Sequence, residues 1–409
     1  MAYPTLEKLF YKDASSERFQ HHEEQLKLRL ESESTFRTGI ELENGELFCA
    51  VPRELSLANE LVLRRERRVS ALWRSLPTVA LGAYLRGLIL DEVVSSNEIE
   101  GVHSTRRQIE IALESAESAE REHAPFREFA LLYLGLTDRD NPPAQPQTPL
   151  DIRDIYDAIV RDALDKKDRV APGHFRTGPV VIEDHRGKEL HRGVNPESRI
   201  VDLLTQMIAL EQSADIPEIY SALLAHFLFE YIHPFYDGNG RTGRYLLALN
   251  LSRPLSTATV LSLSRIIAEN KTPYYKAFDV TERRLNCSEA THFVMAMLDL
   301  IGKAQEQIIE DLEGKGAALT RLSQQVNQLD ESYTDRERDL LFYLGQLTLF
   351  GAFGEIKMAE AASYLNVSAP TARKTFESLS CRDLLVRVSE RPAIYRLSRL
   401  GKEALGIPD

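Results

Sequence analysis

The run His233-Pro234-Phe235-Tyr236-Asp237-Gly238-Asn239-Gly240-Arg241-Thr242-Gly243-Arg244 limits the fold more than any other stretch of this 409-residue chain. Gly238, Gly240 and Gly243 have the spacing of a dinucleotide-binding fingerprint, but that fingerprint needs a strand before it and a helix after it. The residues before it, Ser221 to Ile232, are apolar at helical spacing instead. The pattern therefore predicts a helix, a tight loop and a second helix starting near Arg241. Glycines let such a loop turn sharply and approach a ligand closely. Free N–H groups at the start of the following helix favour anions, phosphate above all. Arg241 and Arg244, three apart, share one side of that helix. Asp237 is a hard oxygen ligand suited to Mg²⁺ on a di- or triphosphate. His233 has the ordinary pKa best suited to taking a proton near neutrality. Singly these features are ordinary: a histidine before proline usually ends a helix, and Asp-Gly-Asn-Gly usually makes a surface turn. Asp237-Gly238-Asn239 also opens like a calcium loop, but the rest of that spacing is missing. Together they describe a site for phosphate transfer.

Around this segment the chain reads as mostly helical. Asn44-Gly45 marks a turn in a strand-like stretch from Glu41 to Val51. Leu55 to Gly101 carries helical periodicity, and the run Arg64-Arg65-Glu66-Arg67-Arg68 inside it reads as a solvated helix face. Thr105 to Gln108 has capping-box form and starts another helix. Asn141 to Pro149 is a proline-rich linker, with Thr148-Pro149 opening a helix expected to reach Leu164. Val180–Ile182 and Glu189–His191 flank a turn at Asp184–Gly187 and predict a hairpin. Helical patterns then fill Pro196 to about Gly314. Further on, Asp335–Leu349 reads as a helix. Lys357–Leu365, the turn Asn366-Val367 and Ser368–Leu379 read as a helix-turn-helix with Ser368 as N-cap. Leu384–Val388 and Ala393–Leu397 form a hairpin, which makes the order that of a winged helix. The expected division is an N-terminal region to residue 110, a core over 111–314, a linker over 315–330 and a winged-helix domain over 331–409. Cys49, Cys287 and Cys381 have neither metal nor disulfide-framework spacing. The opening Met1 to Asp13 has neither a basic leader nor an apolar block, and no apolar run is long enough to span a bilayer. A cytoplasmic protein is expected. A net charge of −12 argues against a surface built throughout for nucleic acid, but not against a local basic patch.

The segment from His233 to Arg244 resembles the signature of the Fic family, HPFx(D/E)GNGRxxR, at every fixed position, and the likeness runs from the hairpin to about Leu298. It implies an all-α Fic core with a small hairpin flap, and a protein adenylyltransferase using ATP and Mg²⁺. By that resemblance His233 deprotonates a target hydroxyl and Asp237 holds the metal between the α- and β-phosphates. Asn239 and the Gly238 and Gly240 amides stabilise charge on the α-phosphate, Arg241 holds the β-phosphate side and Arg244 the γ-phosphate. Phe235 anchors the loop in the core. Upstream, Ser96-Asn97-Glu98-Ile99-Glu100-Gly101 resembles the inhibitory helix of the same family. Ser96 and Glu100 share a face and Gly101 caps it, so Glu100 is expected to take Arg244 away from the γ-phosphate.

The hairpin resembles the Fic flap, where a target protein would dock by backbone pairing. Tyr274 and Tyr275 match a tyrosine pair that lies by the adenine in similar proteins, with Phe278 nearby. Glu282 stands where many members carry an asparagine for the base. His226, seven residues before His233, reads as structural. In the winged helix, Arg373, Lys374, Arg387, Arg391 and Arg396 suggest DNA contact through phosphates, diluted by Glu377, Asp383 and Glu390; such modules also support homodimers or target docking. The alternatives to AMP transfer are a DNA-binding regulator with a nucleotide-sensing core, another nucleotide donor, or removal of AMP.

Overall fold

A computed structural model describes residues 3–117, 124–138, 140–160, 170–171, 174–183, 187 and 189–408. Two short helices, α1 (Leu6–Lys12) and α2 (Arg18–Leu30), precede a hairpin of β1 (Thr35–Leu42) and β2 (Gly45–Ala50). Leu42 pairs with Gly45, so the turn is Glu43-Asn44, and Gly45 takes a φ of 121° that a side chain would resist. Then follow α3 (Arg53–Arg74), α4 (Thr78–Ile99), α5 (Arg106–Glu117), α6 (Arg127–Gly135) and α7 (Pro149–Val160). The start of α5 is a capping box: the Gln108 N–H donates to Thr105 Oγ1, and Gln108 Oε1 accepts from the Thr105 N–H. Beyond Val160, the expected continuation of α7 to Leu164 lies outside the described residues.

The second hairpin is β3 (Val181–Glu183) with β4 (Glu189–Arg192), and Asp184 to Arg186 of its expected turn lie outside the described residues. The chain continues through α8 (Glu197–Glu211), α9 (Glu218–Ile232), α10 (Asn239–Leu251), α11 (Thr257–Val260), α12 (Leu263–Glu269), α13 (Lys271–Glu282), a 3₁₀ turn at Arg284–Asn286, and α14 (Thr291–Gln328). The last part comprises α15 (Asp335–Phe350), β5 (Glu355–Lys357), α16 (Met358–Tyr364), α17 (Ala369–Cys381), β6 (Leu385–Glu390), β7 (Ala393–Leu397) and α18 (Arg399–Ala404).

Packing separates two compact units: residues 1–67 with 90–306, and residues 68–89 with 307–409. The second unit has the expected helix-turn-helix and hairpin, in a sheet of order β5-β7-β6. Asn366 makes the turn in the left-handed region, and Leu322, Leu340, Leu344, Phe376 and Leu379 are buried in its core. Two expectations change here. Residues 315–328 continue α14 rather than forming a linker, because Leu322 and Val326 have a core to enter. Lys357 belongs to β5 rather than to the following helix, since Glu355, Ile356 and Lys357 pair with Arg396, Tyr395 and Ile394. The arginines of α3 are paired: Arg64 and Arg67 face Glu60, Arg65 faces Glu306 and Arg68 faces Glu313. This is the solvated face expected of them.

In the first unit, α9 is the centre. Its sequence is apolar on nearly every side, which suits a helix packed all round, and twelve of its fifteen residues are buried. Helices α8 and α10 lie directly against it. Desolvation raises three carboxyl groups of this unit: Glu230 to about 8, and Glu92 and Glu211 each to about 7. The folded chain keeps these protons at a pH where the unfolded chain has released them, so this stability is present in acid and lost as pH rises through 7 to 8. His226 and His233, lowered to about 3 and about 4, are neutral in the folded chain and half protonated in the unfolded chain at pH 6.5, so they oppose the trend only weakly and only in the first part of this range. The melting temperature is therefore expected to fall by a few degrees between pH 6.5 and 8.5. Thermal unfolding followed by circular dichroism at several pH values checks this; a flat or rising profile would contradict it.

Candidate active site

The loop after α9 is built by backbone devices. His233 ends the helix in the left-handed region (φ 51°, ψ 61°), with its N–H still donating to the Phe229 carbonyl at 3.0 Å, and Pro234 prevents continuation. A left-handed histidine costs about 1 kcal/mol or more unless the surroundings hold it. Arg176 does so. This guanidinium is fully buried, and its Nε donates to the His233 carbonyl at 2.7 Å. Its other nitrogens donate to the carbonyls of Gly178 (2.8 Å), Val194 (2.5 Å) and Ile232 (3.1 Å). Gly178 and Val194 lie on the two legs of the β3–β4 hairpin, so one side chain ties the hairpin to the end of α9. A side chain at Gly193 would collide with it, a Cβ there lying 2.5 Å from Arg176 Nη2.

Phe235 is fully buried and stacks on Tyr156 with centroids 3.5 Å apart, which anchors the loop as expected. Asn239 spends its carboxamide on the Phe235 backbone: Oδ1 accepts from the N–H and Nδ2 donates to the carbonyl, each at 2.9 Å. The side chain thus staples the turn, which uses one of its two N–H donors. Gly238 has φ 83°, and a Cβ there would lie 2.6 Å from Val160 Cγ1. The N–H groups of Asn239, Gly240 and Arg241 begin α10 and lie in the first turn, where a helix has no carbonyls to offer them. Asp237 is exposed, one oxygen accepting from the Gly238 N–H at 2.5 Å.

The two arginines of α10 differ sharply. Arg241 is 1% exposed, yet its Nε and Nη1 have no hydrogen-bond partner among the described residues. Burial depresses its pKa. An anion in the cradle would satisfy it, so residues and ligand class fit: orphaned guanidinium nitrogens, open helix N–H groups, and an exposed carboxylate able to take a cation. Arg244 is satisfied throughout. Its Nη1 donates to Glu100 Oε1 at 2.8 Å, Nε to Ser96 Oγ at 3.0 Å and Nη2 to the Ser96 carbonyl at 2.8 Å. Burial, the largest single influence, lowers its pKa, but the charge and hydrogen bond of Glu100 together with Tyr274 and Glu230 outweigh it and raise the value. Glu100 directly follows α4, and Gly101 turns the chain with φ 72°. A Cβ on Gly240 would fall 2.2 Å from Glu100 Oε1. The spacing of Ser96 and Glu100 thus brings both onto Arg244.

His233 is lowered to about 4, chiefly by burial, then by His191 and Arg176, so it is neutral at physiological pH. Its Nδ1 is buried without a well-formed hydrogen bond. Tyr274 is buried and its hydroxyl lies 2.9 Å from His226 Nε2, while His226 Nδ1 faces the Gly243 carbonyl at 3.2 Å. That carbonyl requires a proton on Nδ1, so the Tyr274 hydroxyl donates to Nε2 and the pair braces α10 from behind. Tyr275 is half exposed, edge-on to Tyr274. Glu282 pairs with His191 at 2.6 Å. Three groups escaped the sequence reading: Arg176, His191 and Glu230. Glu230 Oε1 is buried and unpartnered, and a Cβ on Gly243 would come within 2.2 Å of it. Only the fold brings Arg176 and His191 to His233, while Glu230 lies three residues before it on α9.

Residues 146–251 match the Fic/DOC family. Over 102 residues the chain is 31% identical to proteins named protein adenylyltransferase Fic from Drosophila sechellia and Drosophila melanogaster. The match covers 25% of this chain and 20% of each relative, so the chain spans about a fifth of the length of these curated relatives. A crystal structure of a Fic family protein from Desulfovibrio desulfuricans G20 is similar over 86% of this chain and 97% of its own, with a TM-score of 0.53 and 20% identity. That likeness speaks for the fold. The chain carries a Fic/DOC domain over residues 146–251 on an all-α, Fic-type core.

Replacing Arg176 by Ala would leave four backbone carbonyls without their donor. The expected loss is about 3 kcal/mol or more in urea unfolding, with Arg176→Lys recovering part of it. A loss under about 1 kcal/mol would show that the hairpin does not depend on this buckle.

Proposed function

We propose that the chain is a nucleotidyltransferase that moves AMP from ATP onto a hydroxyl of a target protein, restrained by Glu100. The observation that carries it is Arg241, a buried guanidinium with two unpartnered nitrogens at the start of α10, beside a neutral histidine. In this reading the phosphates enter the concavity of the loop, where Arg241 and the first N–H groups of α10 bind them. His233 takes the proton from the target hydroxyl, the oxygen forms its bond to the α-phosphorus, and the bond to the bridging oxygen breaks to release pyrophosphate. Mg²⁺, held through Asp237, would supply charge neutralisation of the phosphates. Asn239 acts by setting the loop. The β3–β4 hairpin offers its backbone to the target segment, and Arg176 keeps that hairpin in register with His233. Tyr274 and Tyr275 form the wall toward the base.

Restraint follows from the count of donors. The three nitrogens of Arg244 that could grip a terminal phosphate already serve Ser96 and Glu100. One guanidinium cannot serve both partners in full, and a carboxylate in that position repels the phosphate as well. Glu100→Gly is therefore expected to raise transfer from α-³²P-ATP with Mg²⁺ by tenfold or more, about 1.4 kcal/mol of barrier. Glu100→Gly combined with His233→Ala should abolish it. Equal or lower labelling by the single variant would remove the brake from this account, and no labelling of any protein in a lysate would remove AMP transfer.

A second reading attaches to the unit containing α17. Residues 361–402 hold eight Lys or Arg against three Asp or Glu, in a chain of net −12, and Arg373 and Lys374 stand exposed on α17. Contact with DNA phosphates suits that surface. Binding of a short duplex should weaken steeply with salt, and more so in the Arg373→Ala, Lys374→Ala double variant; binding unchanged by both would count against it.

A further inference from the structure

His191, on β4, faces acceptors at both ring nitrogens. Nδ1 lies 2.6 Å from Glu282 Oε2, and Nε2 lies 3.0 Å from the Tyr231 carbonyl. A carboxylate and a carbonyl both accept, so this setting suits a ring that offers an N–H at each nitrogen. Its side chain is 10% exposed, and its ring centroid stands 6.1 Å from that of His233. Glu282 is itself fixed, because Asn44 Nδ2 donates to its carbonyl at 2.9 Å. Tyr231 and His233 belong to the same helix end. The hairpin strand is thus pinned at His191 to the last turn of α9 and to the end of α13.

We propose that His191 is a positioning residue for His233: a cation clamped by Glu282 and the Tyr231 carbonyl, which fixes β4 at the base and keeps that base unprotonated. The inference rests on His233 being the base of the proposed transfer. A positive charge at this distance disfavours a second one on His233, and it acts together with burial and with Arg176 in that direction. The groups that oppose it are Glu100, which directly follows α4, and the Glu230 carbonyl on α9, both favouring the protonated ring. Glu230 itself is protonated near neutrality and adds little charge. Glu282 is turned to His191. The clamp therefore holds the positive charge on the hairpin rather than on the base, leaving the His233 ring free to take the proton of an incoming hydroxyl.

Imidazole nitrogen NMR on the full chain labelled at histidine tests this directly. At pH 7 both nitrogens of His191 are expected to show protonated shifts; a neutral tautomer there overturns the proposal. His191→Gln keeps a donor but removes the charge, and should move the His233 titration midpoint upward by between about 0.5 and 2 pH units. Glu282→Gln should move it the same way, which guards against a single variant that folds badly. In the Glu100→Gly background the acid limb of AMP transfer should shift with the midpoint. A clamp that was merely structural would lower the plateau rate and leave the midpoint in place, and that result overturns the proposal. The midpoint is read without any turnover. A shifted midpoint with no transfer by the Glu100→Gly parent would refute the transferase reading and leave the coupling standing.

Discussion

Helix α9 ends in a residue that would not adopt its conformation unaided. His233 is left-handed, and the force that keeps it so is the Arg176 guanidinium, buried and donating to four backbone carbonyls. No carboxylate neutralises this cation through an ion pair among the described residues; carbonyl dipoles solvate it instead. That choice has a geometric consequence. Carbonyls belong to backbone, so Arg176 fixes chain positions, and it fixes two hairpin legs and a helix end at once. The direction in which His233 faces, and the place where a target strand could pair, come from this one buried contact.

Two arginines one turn apart on α10 show how environment divides labour between like side chains. Arg241 is buried with two nitrogens unpartnered among the described residues, a costly condition that an anion would relieve. Arg244 is buried with each of its three guanidinium nitrogens engaged by Ser96 or Glu100. Breaking such a pair leaves an uncompensated buried charge unless another anion replaces the carboxylate. In the proposed reading a phosphate does so, and the site becomes a competition between an internal anion and an external one. Its balance rests on a carboxylate still partly reached by water, on the last turn of α4.

Much of the site was legible because its parts are local. The glycines at 238, 240 and 243, the histidine at a helix end and the i, i+3 arginines are neighbours in sequence, so periodicity and turn chemistry suffice to place them. Ser96 and Glu100 are also local to each other, and only their partner is distant. What escaped has no local signature. Arg176 sits 57 residues before the carbonyl it holds, and His191 is 91 residues before Glu282. Glu282, considered for a nucleotide base, turned out to be claimed by a histidine that no spacing connects to it. Asn239 points to the same limit: the closure of its amide on the Phe235 backbone is a contact that loop spacing alone does not show. The stretch 315–328 looks like a linker only until Leu322 and Val326 find a core.

Dihedral preference, helical period and side-chain chemistry within a few residues were enough to place most of the helices and hairpins, the loop that can receive an anion and the residue types able to handle a phosphate. Which arginine is occupied and which is free, which carboxyl is neutral and which histidines stay uncharged were settled by tertiary packing. Those properties depend on burial and on partners brought from far along the chain, and the free energy of a charge is set by what surrounds it rather than by what precedes it.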